Sequence, residues 1–172
     1  MQKSIAKGNV NAVKRFLWMH DGNKAVINAR TPNYRSSFLI TIAGDTALTY
    51  AIKKGQTAIV WLLTQSKDID VNKCDAEGFT PLMLAAQFGE RKIVDVLLSR
   101  KDIDLEVVTP SHGNTALFSA YQSHCKDIID VLLKCGANAD HKNNKGLTAA
   151  QSAAKTTISI YEPIDFSTRI TA

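Results

Sequence analysis

The residues capable of reactive chemistry are few and scattered. Cys125 directly follows His124, and a thiol beside an imidazole is the pairing that would make a nucleophile and its base. Adjacent residues on one helix point in different directions, so this pair is not read as a dyad. The remaining thiols, Cys74 and Cys135, complete an odd set with no CxxC pair, which supports neither a disulfide framework nor a structural zinc site. His20, His112, His124 and His141 show no HxxxH spacing, so no metal site is expected. No glycine-rich phosphate loop and no paired catalytic carboxylates occur. Catalytic residues, cofactor and metal are all read as none.

The elements that hold these residues are bounded by composition. At 172 residues with 45% apolar content, the chain suits one domain or a short array with a continuous core. Its longest apolar runs, such as 38–42, are far too short to span a bilayer. The first residues, with Lys3 and Lys7 followed by Gly8 and Asn9, do not read as a signal peptide. A soluble, cytoplasmic protein is expected, and an odd set of thiols agrees with a reducing compartment. The net charge of +5 is uneven: residues 1–60 hold nine Lys and Arg against Asp21 and Asp45, and the rest holds twelve against fourteen acids. Lys14, Arg15, Lys53 and Lys54 are the nearest thing to a basic stripe, but they read as helix surface, so no nucleic acid partner is expected.

Self-similarity organises the chain. Gly44-Asp45-Thr46, Gly78-Phe79-Thr80, Gly113-Asn114-Thr115 and Gly146-Leu147-Thr148 are separated by 34, 35 and 33 residues. Nine residues after the first three threonines stand Gly55, Gly89 and, as a departure, His124. Aliphatic blocks then recur at 59–63, 93–98 and 128–133. Thr80 suits a helix N-cap and Pro81 the first helical position, where a missing N–H costs nothing. Gly89 suits the left-handed residue that ends this first helix. A second helix is predicted from about Arg91 to Ser99, with Ile93, Val94, Leu97 and Leu98 on one stripe. One such pair cannot cover its own apolar face, so the units must stack. The polar links 68–77, 102–112 and 138–145 then project along one edge as turns or short hairpins.

Thr80-Pro81-Leu82-Met83-Leu84-Ala85-Ala86 and Leu132-Leu133-Lys134-Cys135-Gly136-Ala137-Asn138 resemble the TPLHxAA and LLxxGAD signatures of the ankyrin-repeat family, whose period is also about 33. The resemblance covers roughly residues 4–155. It implies an all-α solenoid of stacked helix-turn-helix units with β-hairpin or loop fingers, about four repeats plus a partial terminal one. The units are placed at about 1–43, 44–77, 78–112, 113–145 and a partial 146–155, followed by a tail or cap over 156–172. Thr49, Met83, Phe118 and Gln151 replace the family's His after Leu, so the bonding this His supports at the helix start must be met differently, and modest stability is expected.

Gly8 to Gly55 is about 13 residues longer than one period, and the surplus is placed near Arg30–Ala43. That insertion reads in two ways. Phe38, Ile40 and Ile42 could pack on the first unit as alternate residues of a longer hairpin. Alternatively, Tyr34, Arg35 and Phe38 could anchor a protruding contact element. The segment 156–172, broken by Pro163, is expected to cap the open end of the array, since a repeat stack must hide its last apolar face.

By resemblance, the partner-reading positions are those that stacking leaves free on fingers and first helices. They are Cys74, Glu77, Phe79, Gln87, Phe88, His112, Asn114, Gln122, Lys142, Asn144 and Lys145, joined by Tyr34, Arg35 and Phe38 of the insertion. Phe79 and Phe88 stand out, because exposed aromatics are typical interface anchors. The resulting expectation is a monomeric, non-enzymatic module that binds another protein through a concave face and its fingers. The rival expectation is a targeting or substrate-recruiting segment of a larger enzyme, or of a secreted effector from an intracellular microbe.

Overall fold

The computed structural model describes residues 2–29 and 44–161. Among these the chain forms ten helices and no strand: α1 (Gln2–Ala6), α2 (Val10–Met19), α3 (Lys24–Ile27), α4 (Ala47–Lys53), α5 (Thr57–Thr64), α6 (Pro81–Gln87), α7 (Arg91–Leu98), α8 (Ala116–Gln122), α9 (Lys126–Lys134) and α10 (Ala149–Tyr161). Helices pair as α1 with α2, α4 with α5, α6 with α7 and α8 with α9. The pairs stack in two layers, the first helices α1, α4, α6, α8 and α10 in one and the second helices α2, α5, α7 and α9 in the other. This is the all-α repeat architecture that the spacing predicts. Among the described residues the fingers take the loop form rather than a strand ladder.

The repeated residues fill repeated places. Ile59, Ile93 and Ile128, and likewise Leu63, Leu97 and Leu132, are buried at equivalent points of the second helices. Each such side chain contributes on the order of 1.5–3 kcal/mol of transfer free energy. On the first helices the small Ala51, Ala85 and Ala120 are fully buried, which lets neighbouring helices approach closely. Between the two helices of a unit the chain turns at a left-handed residue. At Gly89 (φ +69°) the Gly89 N–H donates to the Ala86 carbonyl and the Glu90 N–H to the Ala85 carbonyl, the two bonds of a Schellman closure. At the equivalent turn His124 (φ +55°) donates its N–H to the Tyr121 carbonyl and the Cys125 N–H donates to the Ala120 carbonyl, so His124 carries a side chain where its counterparts have none.

The surplus length of the first unit is divided. From Gly8 to Asn28 the chain is three residues longer than from Gly55 to Asn72, and from Asn28 to Gly44 ten longer than from Asn72 to Gly78. Only the ten fall between 29 and 44; the three lengthen the α2–α3 region, whose short α3 has no counterpart later in the chain. Arg30–Ala43, with Tyr34, Arg35 and Phe38, lies outside the described residues. At the other end α10 runs to Tyr161, past Lys155, and 162–172 lies outside the described residues.

Candidate functional site

The face to build is the one made by the fingers and the ends of the first helices. The first helices α4, α6, α8 and α10 follow Thr46, Thr80, Thr115 and Thr148 in turn. The Thr49 N–H donates to Thr46 Oγ1 at 3.1 Å, and the Thr46 N–H donates to Thr49 Oγ1 at 2.8 Å. Met83 and Gln151 return the bond in the same way, through Sδ to Thr80 at 3.4 Å and through Oε1 to Thr148 at 3.0 Å. These are reciprocal capping boxes in which Thr, Met or Gln does what the substituted His was expected to do. Thr115 makes no side-chain cap bond. There Phe118 is buried, and the His141 ring from the next finger meets it edge-on at 6.0 Å while Nε2 lies 2.9 Å from the Gly113 carbonyl.

The fingers at 75–79, 109–114 and 143–147 are each closed by one polar side chain. Asp75 Oδ1 accepts from the Glu77 and Phe79 N–H groups at 3.0 and 2.9 Å. Asn143 Oδ1 accepts from those of Lys145 and Leu147, and Thr109 Oγ1 from Asn114 at 3.1 Å. Asx and hydroxyl turns of this kind satisfy a loop's donors without a strand partner. Successive fingers then lean on one another. A Cβ on Gly78 would run into Pro110, and one on Gly113 into Asn144, so glycine is required by close approach at both points. Asn144 N–H donates to the His112 carbonyl at 2.9 Å, and Asn143 Nδ2 to Asn114 Oδ1 at 3.0 Å.

The expected contact residues divide on this frame. Glu77, Gln87, Phe88, His112, Gln122, Lys142 and Lys145 are exposed. Phe88 caps α6 with 53% of its surface in solvent. Phe79, paired with it in expectation, is half-buried and packs against the core. Cys74 is also half-buried, its Sγ 3.7 Å from the Asn72 carbonyl. Asn114 is half-buried with its amide oxygen taken by Asn143, and the exposed Asn144 is tied to the preceding finger.

Three features of the described residues escape sequence reading. Lys53 Nζ lies 2.8 Å from both Asp45 Oδ1 and Asp75 Oδ2, and the two carboxylate side chains are only 1% exposed. Burial pushes the Asp45 carboxyl above its usual 3.8 against the pull of Lys53. Burial would lower the Lys53 ammonium, but its bonds to both carboxylates outweigh that and raise it above 10.5. The pairing spans 22 residues, so no local pattern announces it. The second feature is a ladder beneath the fingers. Asn28 Nδ2 donates to the Asp68 carbonyl at 2.7 Å while its Oδ1 accepts from Asp70 N–H; Asn72 does the same to Asp102 and Asp104. Glu106 continues it, accepting from Asn138 N–H at 2.8 Å. The repeated Lys-Asp-Ile-Asp wording at 67–70 and 101–104 thus marks the loop that each clasp grips. The third is Trp61, which sits inside an aliphatic block yet is more than half exposed.

The residues considered for catalysis have other occupations. The Cys125 thiol donates to the Ser123 carbonyl at 3.5 Å, and His124 supplies the left-handed turn. His112 Nδ1 is 2.7 Å from the Ser111 hydroxyl at a fingertip, and the His20 ring packs tilted against Phe16 with centroids 4.4 Å apart. Among the described residues no group of three or more His, Cys, Asp or Glu could hold a metal ion, and no helix is long and apolar enough to cross a membrane.

The chain was compared with known proteins. A family model described as ankyrin repeats in three copies matches residues 1–109, and a single ankyrin repeat matches 112–144. A putative ankyrin repeat protein of Fowlpox virus (strain NVSL) is 31% identical over 110 residues, covering 63% of this chain and 32% of that protein. Ankyrin repeat and SAM domain-containing protein 6 of Mus musculus is 35% identical over 100 residues, 58% of this chain and 11% of that one. A probable serine/threonine-protein kinase of Dictyostelium discoideum is 31% identical over 111 residues, 60% and 13% respectively. The chain therefore spans a third or less of the curated relatives that it matches.

Proposed function

The chain belongs to the ankyrin-repeat family, and on that footing we propose that it is a non-enzymatic module holding a partner protein on its finger face. Repeats of this family generally serve protein–protein interaction. The observation that carries the reading is Phe88, an aromatic left 53% exposed at the end of α6. Gln87, Glu77, His112 and Gln122, polar members of the same expected contact set, are exposed as well. A large apolar side chain left exposed on a surface that also offers polar groups is the kind of residue that anchors a recognition hot spot. Lys142 and Lys145 extend the same face toward the last unit, and Tyr34, Arg35 and Phe38 would add contacts from the insertion. We place the module in the cytoplasm as a monomer, where three cysteines would persist as thiols.

The test is affinity capture with the intact chain compared with Phe88→Ala and Gln87→Ala in parallel. Partner retention should fall by about tenfold or more with Phe88→Ala while the thermal transition stays in place. Undiminished capture by a folded Phe88→Ala chain would move the interface off this face. A second reading is favoured by coverage: the chain spans 11–13% of relatives that include a probable kinase, so it would also serve as the recruiting segment of a longer protein. Under that reading the same face would select the substrate or target of the attached part.

A further inference from the structure

The second-helix layer carries a feature that the finger face does not explain. Trp61 stands six residues after Gly55, and the same place holds Asp95 after Gly89 and Asp130 after His124. Later units are thus charged where this one presents an indole with 54% of its surface in solvent. Val10, Ala58, Leu62 and Val96 line with it a groove of about 520 Å³ between α2, α5 and α7, and Lys14 is the charged residue of its wall. Val10, Lys14 and Trp18 fall at four-residue steps, one stripe of α2. Trp18, which ends that stripe, is 81% exposed. Apolar surface left open in this amount marks an interaction site, and the volume is that of a cleft that admits side chains.

The charge around the groove says what fits it. Residues 1–60 hold nine Lys and Arg against two acids, and one of those acids, Asp45, is buried with Lys53. Lys14 in the groove wall and Arg15 next to it on α2 are exposed. Such a field draws an acidic partner and repels a basic one. A recessed floor formed by Val10, Leu62 and Val96 needs protruding side chains to fill it, which a helix supplies and a flat lipid surface does not. We propose that this groove is a second docking site, separate from the finger face, for an acidic amphipathic helix of a partner protein. Apolar residues on one side of that helix would enter beside Trp61, and its carboxylates would meet Lys14.

The chain has two tryptophans, Trp18 and Trp61, both on second helices, so emission excited selectively at tryptophan reports on this layer. The probe is a pair of synthetic helical peptides with the same leucine stripe, one flanked by glutamates and the other by lysines. The glutamate peptide should shift the emission to the blue and bind about tenfold tighter than the lysine peptide at low salt. Trp61→Ala should weaken it about thirtyfold, and Lys14→Glu, a substitution at an exposed site, should erase or invert the charge preference. Phe88→Ala should leave it unchanged, which separates this site from the finger face. Equal affinity for both peptides, binding indifferent to Trp61→Ala, or no shift with either peptide would overturn the proposal. So would a shift produced by phosphatidylserine vesicles alone, or one appearing with dimerisation of the chain without peptide.

Discussion

Arg100 reaches back across a unit boundary to Thr64, whose carbonyl accepts from Nη1 at 2.6 Å at the end of α5. The same nitrogen donates to the Ser66 carbonyl at 2.9 Å, while Nε and Nη2 hold Asp102 at 2.8 Å each. One planar guanidinium therefore closes a helix of one unit and braces the loop of the next. Bonds to charged donors are worth more than neutral ones, so Arg100→Ala should lower unfolding stability by about 2 kcal/mol in urea titration. Arg100→Lys should recover little of this, because an ammonium cannot present the same fork.

Acidification should act through the same group. The Arg100 hydrogen bonds hold the Asp102 carboxyl below its usual 3.8. A carboxyl with a lowered folded value contributes stability that is complete above 3.8 and is lost as pH falls through the folded value. The wild-type melting temperature should therefore decline more steeply below about pH 4 than that of Asp102→Asn, as followed by circular dichroism.

Removing the cation between Asp45 and Asp75 should be severe. Lys53→Met would leave two buried carboxylates facing one another, and breaking such a pair costs about 3–5 kcal/mol. The Asp45 carboxyl, already raised by burial, would rise further. A raised folded value means the native state binds the extra proton, so this variant should regain stability as pH falls from 7 toward 4. Denaturant midpoints at the two pH values check the sign; a variant equally weak at both would contradict it.

The left-handed turn at His124 offers a gain. A side chain at φ +55° costs roughly 1–2 kcal/mol over glycine in the folded state, partly offset by glycine's looser unfolded chain. His124→Gly should therefore raise stability by about 0.5–1 kcal/mol. Gly89→Ala, at φ +69° with Cys125 Sγ close to the added carbon, should lower it. Thermal melts of both variants test the pair.

Helix starts and turns were legible because their causes are local. Thr80, Pro81, Gly89 and the 93–98 block each act within a few residues, and α6 and α7 begin and end where those signals stand. His124 was legible as a departure in type, and its conformation follows from its place in the period. The finger face was less readable because its polar residues serve two masters. Asn114 and Asn144 have the composition of contact residues but are used between fingers, and Phe79 follows a turn that brings its ring against the core. Lys53 and Asp75 meet only once two units are stacked. Trp61 was read with its aliphatic neighbours, since burial of a block's outer member depends on the unit beside it.

The Asn28 and Asn72 clasps join only next-door loops, and this has a mechanical meaning. Tension applied along the stack would load these clasps one after another, so resistance would be met and released locally. Pulled in a single-molecule instrument, the array would lengthen in steps rather than in one rupture. Steps from the units that begin at Gly44, Gly78 and Gly113 would each free 33 to 35 residues, about 11–12 nm of extended backbone.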